Sequence, residues 1–243
     1  MTTEEFSNQF DILYNNIDSN QAPGLNTYEK SVFLTQAQDE IVVSLYKGTE
    51  VSEEIRRYLD TLIRTEELTN ITNSDLHGMT AESKFYALPD EVMYITAEFV
   101  SYVDNNDRCK TYTAEVQPVK QDEFARIKNN PFRGPTKHRL LRLDYGPFST
   151  YKRVLELVPK KGYGVGTYII RFISNPEPII IGDISNTNSE YTGLSLTIKG
   201  EDNHEGTHHN FECKLPEAVH ETVLQRAVAM AKAAWSDTTQ STK

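Results

Sequence analysis

The stretch MYITAEF, residues 93–99, decides the fold class of this chain. Its apolar residues Met93, Ile95, Ala97 and Phe99 alternate with more polar ones, which is the period-2 pattern of a half-buried β-strand. Most connections around it are short, so antiparallel pairing is expected rather than βαβ crossovers, which need about a dozen residues or more. Other strand-like runs lie at 109–116, 138–144, 150–158, 167–173, 179–181, 194–198 and 210–213.

The residues before this β region predict helices instead. Thr2 and Glu5 have the spacing of a capping box, and Asn26 and Glu29 repeat that spacing before the second apolar-periodic run. Ser52 is placed to cap a third helix. Helices are therefore predicted at about 3–17, 27–46 and 52–68, which form a helical segment, 1–70, ahead of a polar linker, 71–82.

The clearest single element is PEAVHETVLQRAVAMAKAAW, Pro216–Trp235. Pro216 suits the first turn of a helix, where its missing N–H costs nothing. The apolar face is formed by Val219, Val223, Ala227, Ala231 and Trp235. The sequence thus predicts an α+β protein: the helical segment, a mainly antiparallel β region over 83–213, an amphipathic helix over 214–235 packed on the rest, and a flexible tail, 236–243.

The composition argues against some classes of protein. The chain has 243 residues, with 25 Lys and Arg against 35 Asp and Glu, and a formal net charge of −10. This argues against a dedicated duplex-DNA binder, whose affinity rests on basic residues that neutralise phosphates. Cys109 and Cys213 are the two cysteines, a number that fits a reducing compartment better than a disulfide-stapled fold.

Membrane and export signals are missing from the sequence. No apolar run approaches the roughly 20 residues that cross a bilayer. The start, MTTEEFSNQF, lacks the basic and apolar regions of a signal peptide. We therefore expect no membrane association and no export.

One cluster has metal-ligand chemistry. His204, His208, His209 and Cys213 lie within ten residues, and zinc takes imidazole and thiolate ligands. The second paired element that makes zinc motifs specific is absent, and a polar hairpin tip leading into a strand explains the same residues. We therefore predict no metal and no cofactor.

Other catalytic patterns are weaker still. Gly162, Gly164 and Gly166 precede a strand rather than the helix that phosphate-binding loops need, so they predict a hairpin turn with positive φ. No Gly-x-Ser-x-Gly elbow occurs in the sequence. We predict no catalytic residues and no enzyme activity.

Aromatic and basic residues favour an assembly role. Aromatic residues make up 10% of the chain, and large amphipathic rings are enriched at protein interfaces. The basic stretch 128–142, which includes Phe132, is expected to face another protein in a chain this acidic. The candidate interface residues are Phe10, Tyr14, Pro23, Tyr28, Phe33, Arg133, Arg139 and Trp235.

Three stretches that span both ends and much of the middle of the chain resemble virion structural proteins of crAss-like bacteriophages. They are Phe10–Tyr46, which holds the string NQAPGLNTYEKSVFLTQAQ, Tyr168–Ile181 and Cys213–Trp235. Within this group, the chain resembles the ring, or head-to-tail connector, proteins stacked below the portal of a short-tailed virion.

The resemblance implies a structural role without catalytic residues. It implies a cyclic ring of identical subunits, twelve to match the portal, with the portal protein and neighbouring ring or tail proteins as partners. Such rings are built from heterologous contacts. It also implies assembly in the host cytoplasm, a place in the virion neck or tail, and a channel through which genomic DNA passes without specific contact.

Two alternatives stay open. In the first, the chain is a phage or host enzyme with a cryptic metal site around His204–Cys213. In the second, it is an adaptor that recruits an assembly factor without entering the particle. Metal analysis tests the first alternative. Mass spectrometry of purified virions separates both from a structural subunit.

Overall fold

The computed structural model describes residues 1–15, 24–47, 57–104, 111–181, 184–185, 207–208 and 212–240, with the backbone alone for residues 184–185, 207–208 and 235–240. The chain is α+β, as predicted, and forms two compact units. The helical unit comprises Met1–Leu62 and Asn175–Lys243, and the sheet unit comprises Ile63–Ser174.

In chain order, the helices are α1 (Thr3–Asn15), α2 (Thr27–Lys47), α3 (Gln121–Ile127) and α4 (Glu217–Gln240). The strands of the sheet unit are β1 (Ile63–Leu68), β2 (Asn70–Ile71), β3 (Lys84–Ala87), β4 (Val92–Asp104), β5 (Thr111–Pro118), β6 (Arg139–Phe148), β7 (Tyr151–Val158) and β8 (Tyr163–Ser174). Two short strands, β9 (Ile184–Ser185) and β10 (Thr207–His208), pair antiparallel in the helical unit.

Both predicted capping pairs are present. The N–H of Thr2 donates to Glu5 Oε2 (2.9 Å), and the N–H of Glu5 donates to Thr2 Oγ1 (3.2 Å). The N–H of Asn26 donates to Glu29 Oε2 (2.9 Å), and the N–H of Glu29 donates to Asn26 Oδ1 (2.7 Å). Each pair satisfies two N–H groups that the start of a helix leaves without an intrahelical partner, so local signals set where α1 and α2 begin.

The C-terminal helix α4 packs against α1 and α2. Its predicted apolar face is buried at Val219, Val223, Ala227 and Ala231. Charged side chains join the same helices, because Arg226 binds both carboxylate oxygens of Glu40 in α2 at 2.5 and 2.8 Å. The helix continues to Gln240, and the flexible tail over 236–243 stays a prediction.

A polar ladder on α2 holds the segment 177–181. Gln38 Nε2 donates to the carbonyl of Glu177 (2.7 Å). Two hydroxyls accept from the same segment: Thr35 Oγ1 from the N–H of Ile179 (3.1 Å) and Ser31 Oγ from the N–H of Ile181 (2.9 Å). The three side chains share one face of the helix, and they satisfy alternate residues of an extended chain.

This ladder corrects the prediction of a strand over 179–181. The three isoleucines are buried, as a buried strand would be, but within the described segment 179–181 only Ile180 has strand pairing, as a single β-bridge. The described hydrogen bonds of the segment run to helix side chains. The predicted strand 194–198 lies outside the described residues. Of the predicted strand 210–213, the described residues 212–213 have no strand structure.

The sheet unit is one mixed sheet in the order β1-β8-β4-β5-β6-β7-β3-β2. Neighbouring strands are antiparallel except β5 and β6, which are parallel because α3 and the loop after it carry the chain across. α3 covers one face at β6 and β7 through Phe124 and Ile127. The opposite, inner face carries the core, which includes Tyr86, Val100, Tyr102, Leu140, Leu157, Tyr168, Ile170 and Phe172.

Strand β1 corrects the helical prediction, which extended to Leu68. Helical structure at residues 57–59 tightens into a 3-10 turn over Asp60–Leu62 and then gives way to β1. β1 pairs along its whole length with β8, from Ile63 opposite Ile173 to Leu68 opposite Tyr168. Pairing with a strand about a hundred residues away overrides the local helical spacing, and no local signal reports it.

The alternation in MYITAEF is confirmed as a strand, but its faces differ from the prediction. Register irregularities fall within β4, one of them between Ile95 and Ala97. Phe99 is 52% exposed, whereas the side chain of Glu98 is almost fully buried. The prediction that the apolar residues face inward is therefore wrong at residues 98 and 99, because an arginine partner makes burial of Glu98 tolerable.

Candidate assembly surfaces

The predicted aromatic interface residues of the helical unit lie largely in its interior. Phe10, Tyr14 and Tyr28 are buried, and Phe33 is half-buried. The rings of Phe10 and Tyr14 stack with their centroids 6.1 Å apart. Burial, helped by the charge of Glu29, raises the pKa of Tyr14. These rings build the core of the subunit itself, and a role for them between subunits stays a prediction.

The side chains of two further candidates, Pro23 and Trp235, are not among those that the structure describes. Pro23 lies outside the described residues. Trp235 lies in α4, within the part for which only the backbone is described. Their part in subunit contacts also stays a prediction.

Arg139 shapes the segment that we call the Phe132 loop, residues 129–138, between α3 and β6. One amino group of its guanidinium donates to the carbonyls of Phe132 (2.5 Å) and Gly134 (3.1 Å). Its Nε donates to Gly134 as well, at 3.3 Å. Arg133, in contrast, is exposed. The two predicted arginines therefore differ: Arg139 holds the loop, and Arg133 is displayed on it.

The Phe132 loop is ordered by its own hydrogen bonds. Asn130 Oδ1 accepts from the N–H groups of Phe132 (2.8 Å) and Arg133 (3.2 Å), and the N–H of Gly134 donates to the carbonyl of Asn130 (2.7 Å). A Cβ at position 134 would lie 2.6 Å from that carbonyl oxygen, so only glycine fits this close approach. The loop is consequently preorganised rather than a slack connection.

Phe132 is the most exposed large apolar side chain in the described part of the chain, at 86%. It enters the sequence prediction only as a member of the basic stretch 128–142. The signal that marks it is NPFRGP, residues 130–135, in which turn-forming residues stand on both sides of one aromatic ring. A ring held out by a structured loop is typical of a contact surface.

A row of paired residues joins this loop to the rest of the outer sheet face. Arg139 of β6 lies opposite Glu115 of β5, which lies opposite Phe99 of β4. Phe99 lies opposite Ile169 of β8, and Ile169 opposite Glu67 of β1. Since cross-strand partners share a face, Phe99 stands about 10 Å from Arg139, two strand spacings away. The outer face thus carries a second exposed aromatic beside the Phe132 loop.

Behind Phe99, the inner face of the sheet contains a buried ion pair. Arg142 Nη1 contacts Glu98 Oε2 at 2.5 Å, and the hydroxyl of Tyr168 donates to Glu98 Oε1. Both charged side chains are almost fully buried. Burial, reinforced by Glu98, raises the pKa of Tyr168. The hydroxyl of Tyr168 therefore stays protonated and donates to the Glu98 carboxylate. The network connects β4, β6 and β8 and thereby stabilises the sheet.

The predicted metal-type cluster is only partly described. His204 and His209 lie outside the described residues, and His208 is described by its backbone in β10. Cys213 is buried; its Sγ lies 3.2 Å from Gln38 Oε1, and burial raises the pKa of its thiol. Within the described ranges, no group of three His, Cys, Asp or Glu residues is arranged to hold a metal ion.

The prediction of a turn with positive φ is confirmed at Gly162, whereas Gly164 and Gly166 lie within β8. The turn does not close the predicted hairpin, because β7 and β8 are not neighbours in the sheet. Gly162 has a positive φ of 89° in the turn before β8. In the described segments, no helix has the length and apolar character needed to cross a membrane.

Comparison with known proteins identifies the family. A model of the family described as phage tail ring protein 3/4 matches residues 1–243. The chain is 36% identical over 240 residues to "Ring protein 3" of Bacteroides phage crAss001, covering 95% of each chain. It is 33% identical over 243 residues to "Ring protein 4/5" of the same phage, covering 97% of this chain and 94% of that one. The chain therefore belongs to the phage tail ring protein 3/4 family of crAss-like phages, and its role is that of a structural ring protein.

Proposed function

We propose that this chain forms a connector ring in the neck of a virion, between the portal and the tail, and that the genome passes through the ring. The observation that carries the proposal is the family match over residues 1–243, together with 36% identity to "Ring protein 3" across 95% of both chains.

The proposal includes the finer features of such a ring. Identical subunits, twelve to match a portal, meet through heterologous contacts, and the chain assembles in the host cytoplasm before it enters the particle. The net charge of −10 favours a channel wall with more carboxylates than basic groups, past which DNA slides without specific contact. The role is non-catalytic.

The alternatives make different predictions. An enzyme with a metal at His204–Cys213 requires a ligand set that includes Cys213, but this thiol is buried against Gln38. An adaptor that never enters the particle requires that the chain be absent from virions. Neither has an observation that favours it.

A cryo-EM map of the virion neck, combined with mass spectrometry of purified particles, tests the proposal. We expect about twelve copies of the chain per particle, in a ring below the portal. Absence from purified virions would refute the proposal. A ring elsewhere in the tail would keep the structural role and refute the connector position.

A further inference from the structure

We infer that the Phe132 loop is a docking element that contacts a second copy of this chain. The inference rests on the proposed ring, because it assigns one of the contacts by which neighbouring subunits meet. It uses only residues of the sheet unit.

The first argument is the preorganised display of an aromatic side chain. Phe132 is 86% exposed although the loop that carries it is fixed by Asn130, Gly134 and Arg139. A slack loop would lose conformational entropy on binding, whereas a loop ordered beforehand loses little. Aromatic and arginine side chains, here Phe132 and Arg133, are also enriched at the centres of protein interfaces.

The second argument is the extent of the surface. Phe99 is also exposed, and it lies on the same outer face in the strand row that begins at Arg139. At residues 98 and 99 of β4, the alternation of apolar and polar residues does not match the two faces of the strand, because Glu98 is buried and Phe99 is exposed. Departures of this kind from local rules are concentrated at functional sites.

Charge complementarity identifies the occupant. The Phe132 loop and the residues that flank it, together 124–139, contain five basic residues and no acidic one. The rest of the chain therefore has 20 of the 25 basic residues and all 35 acidic residues. A second copy is therefore a strongly acidic partner for a basic aromatic loop. Opposite charges across an interface increase the rate of association and select the correct register.

The same sheet displays an acidic surface away from the loop. β1 is the end strand of the described sheet, and Glu66 and Glu67 are exposed on it. Four strand spacings, about 19 Å, separate β1 from β6. A heterologous contact needs two different surfaces that do not overlap, and this arrangement provides a basic aromatic one and an acidic one on a single subunit.

Photocrosslinking in assembled virions tests the inference. Phe132 is replaced by benzoylphenylalanine in chain supplied during infection, and purified particles are irradiated. We expect a product at twice the subunit mass that contains peptides of this chain alone. A product with a different virion protein or with DNA, or no product while the chain is present in the particle, would overturn the inference and leave the ring role standing. A chain absent from the particle would refute the proposed function itself.

A pair of matched variants gives an independent readout. Phe132→Asp is compared with Tyr151→Asp, since Tyr151 is also exposed, at 41%, and lies beyond the far end of β6 from the loop. We expect Phe132→Asp to reduce incorporation into virions at least tenfold, and Tyr151→Asp to leave it within twofold. Because Phe132 is exposed, the isolated variant should melt at the temperature of the wild type. Normal incorporation of Phe132→Asp would contradict the inference.

Discussion

The helical unit and the sheet unit are built by different means. In the helical unit, local signals determine where the helices begin, and a ladder of three uncharged side chains on α2 holds the extended segment 177–181. In the sheet unit, some strand pairs, such as β1 with β8, join distant parts of the chain, and a buried ion pair, Glu98–Arg142, links strands that are not neighbours. Both units therefore depend on polar contacts between residues that are distant in sequence, but the helical unit uses hydrogen bonds of uncharged side chains where the sheet unit uses a buried ion pair.

The largest expected loss of stability comes from breaking the buried ion pair of the sheet unit. Arg142→Met leaves the Glu98 carboxylate buried without its partner, and loss of one member of such a pair costs about 3–5 kcal/mol. Urea unfolding followed by circular dichroism measures the change. The double variant Glu98→Leu with Arg142→Leu should recover most of the loss, because it removes both buried charges.

The control for this prediction is an exposed ion pair of the same unit. Arg64 and Glu91 contact at 2.9 Å with both side chains more than a third exposed. Arg64→Met should cost no more than about 1 kcal/mol, since water solvates the charge that remains. Equal losses for Arg142→Met and Arg64→Met would show that burial does not give Glu98–Arg142 its importance.

The next effect tests the polar ladder of the helical unit. Gln38 is fully buried, and Gln38→Ala removes the donor to the Glu177 carbonyl and the acceptor for Cys213. We expect a loss of about 2–3 kcal/mol from unsatisfied buried groups and the cavity. Gln36→Ala, at an exposed position of the same helix, should change stability by no more than about 0.5 kcal/mol. If the two variants were equally stable, the ladder would have no structural importance.

The two units also differ in what could be predicted from sequence. The helix starts at Thr2 and Asn26 and the apolar face of α4 follow from capping chemistry and spacing. Both helix starts are confirmed, and the apolar face is confirmed at Val219, Val223, Ala227 and Ala231. These signals act within one or two helical turns, so they can be read from the order of residues. The segment 179–181 has one β-bridge instead of the predicted strand, and its described hydrogen bonds run to a helix face.

Fewer features of the sheet unit and its candidate surface could be predicted from sequence patterns. β1 looked helical because its strand partner, β8, lies about a hundred residues later, and Glu98 looked exposed because its partner, Arg142, lies on another strand. The basic stretch pointed to a contact, but the exposure of Phe132 depends on hydrogen bonds from Arg139 that spacing cannot show. The family itself came from resemblance, since a structural subunit has no catalytic motif to find.

A smaller effect sharpens the account of local signals in the helical unit. Asn26→Ala removes the side-chain acceptor for the N–H of Glu29 and should cost about 1 kcal/mol. Thr2→Ala at the start of α1 is the matched variant and should cost a similar amount. Both losses are measured by urea unfolding. A loss above about 3 kcal/mol for either would mean that the cap also supports tertiary contacts.

The smallest effect at neutral pH is expected at Tyr86, one of two tyrosines of the sheet core that serve as a matched pair. Tyr86 and Tyr168 are both fully buried, with ring centroids 5.0 Å apart, but the hydroxyl of Tyr168 donates to Glu98, whereas that of Tyr86 has no hydrogen-bond partner among the described residues. Tyr86→Phe should leave stability unchanged or raise it by up to about 1 kcal/mol, because it removes an unsatisfied buried group. Tyr168→Phe should cost about 1.5–3 kcal/mol, since it removes a hydrogen bond to a charged acceptor.

Alkaline pH should increase the small effect of Tyr86→Phe on stability. Burial raises the pKa of Tyr86 to about 12 from an unfolded value of 10.0. Above pH 10 the unfolded chain therefore releases this proton while the folded chain retains it, so the stability that Tyr86 contributes below pH 10 is lost as the pH rises toward 12. The wild type should lose up to about 1.4 kcal/mol per pH unit from this residue, and Tyr86→Phe should lose correspondingly less. Urea unfolding at pH 8 and pH 11 measures both proteins, and equal pH dependence would show that Tyr86 ionises in the folded sheet as readily as in the unfolded chain.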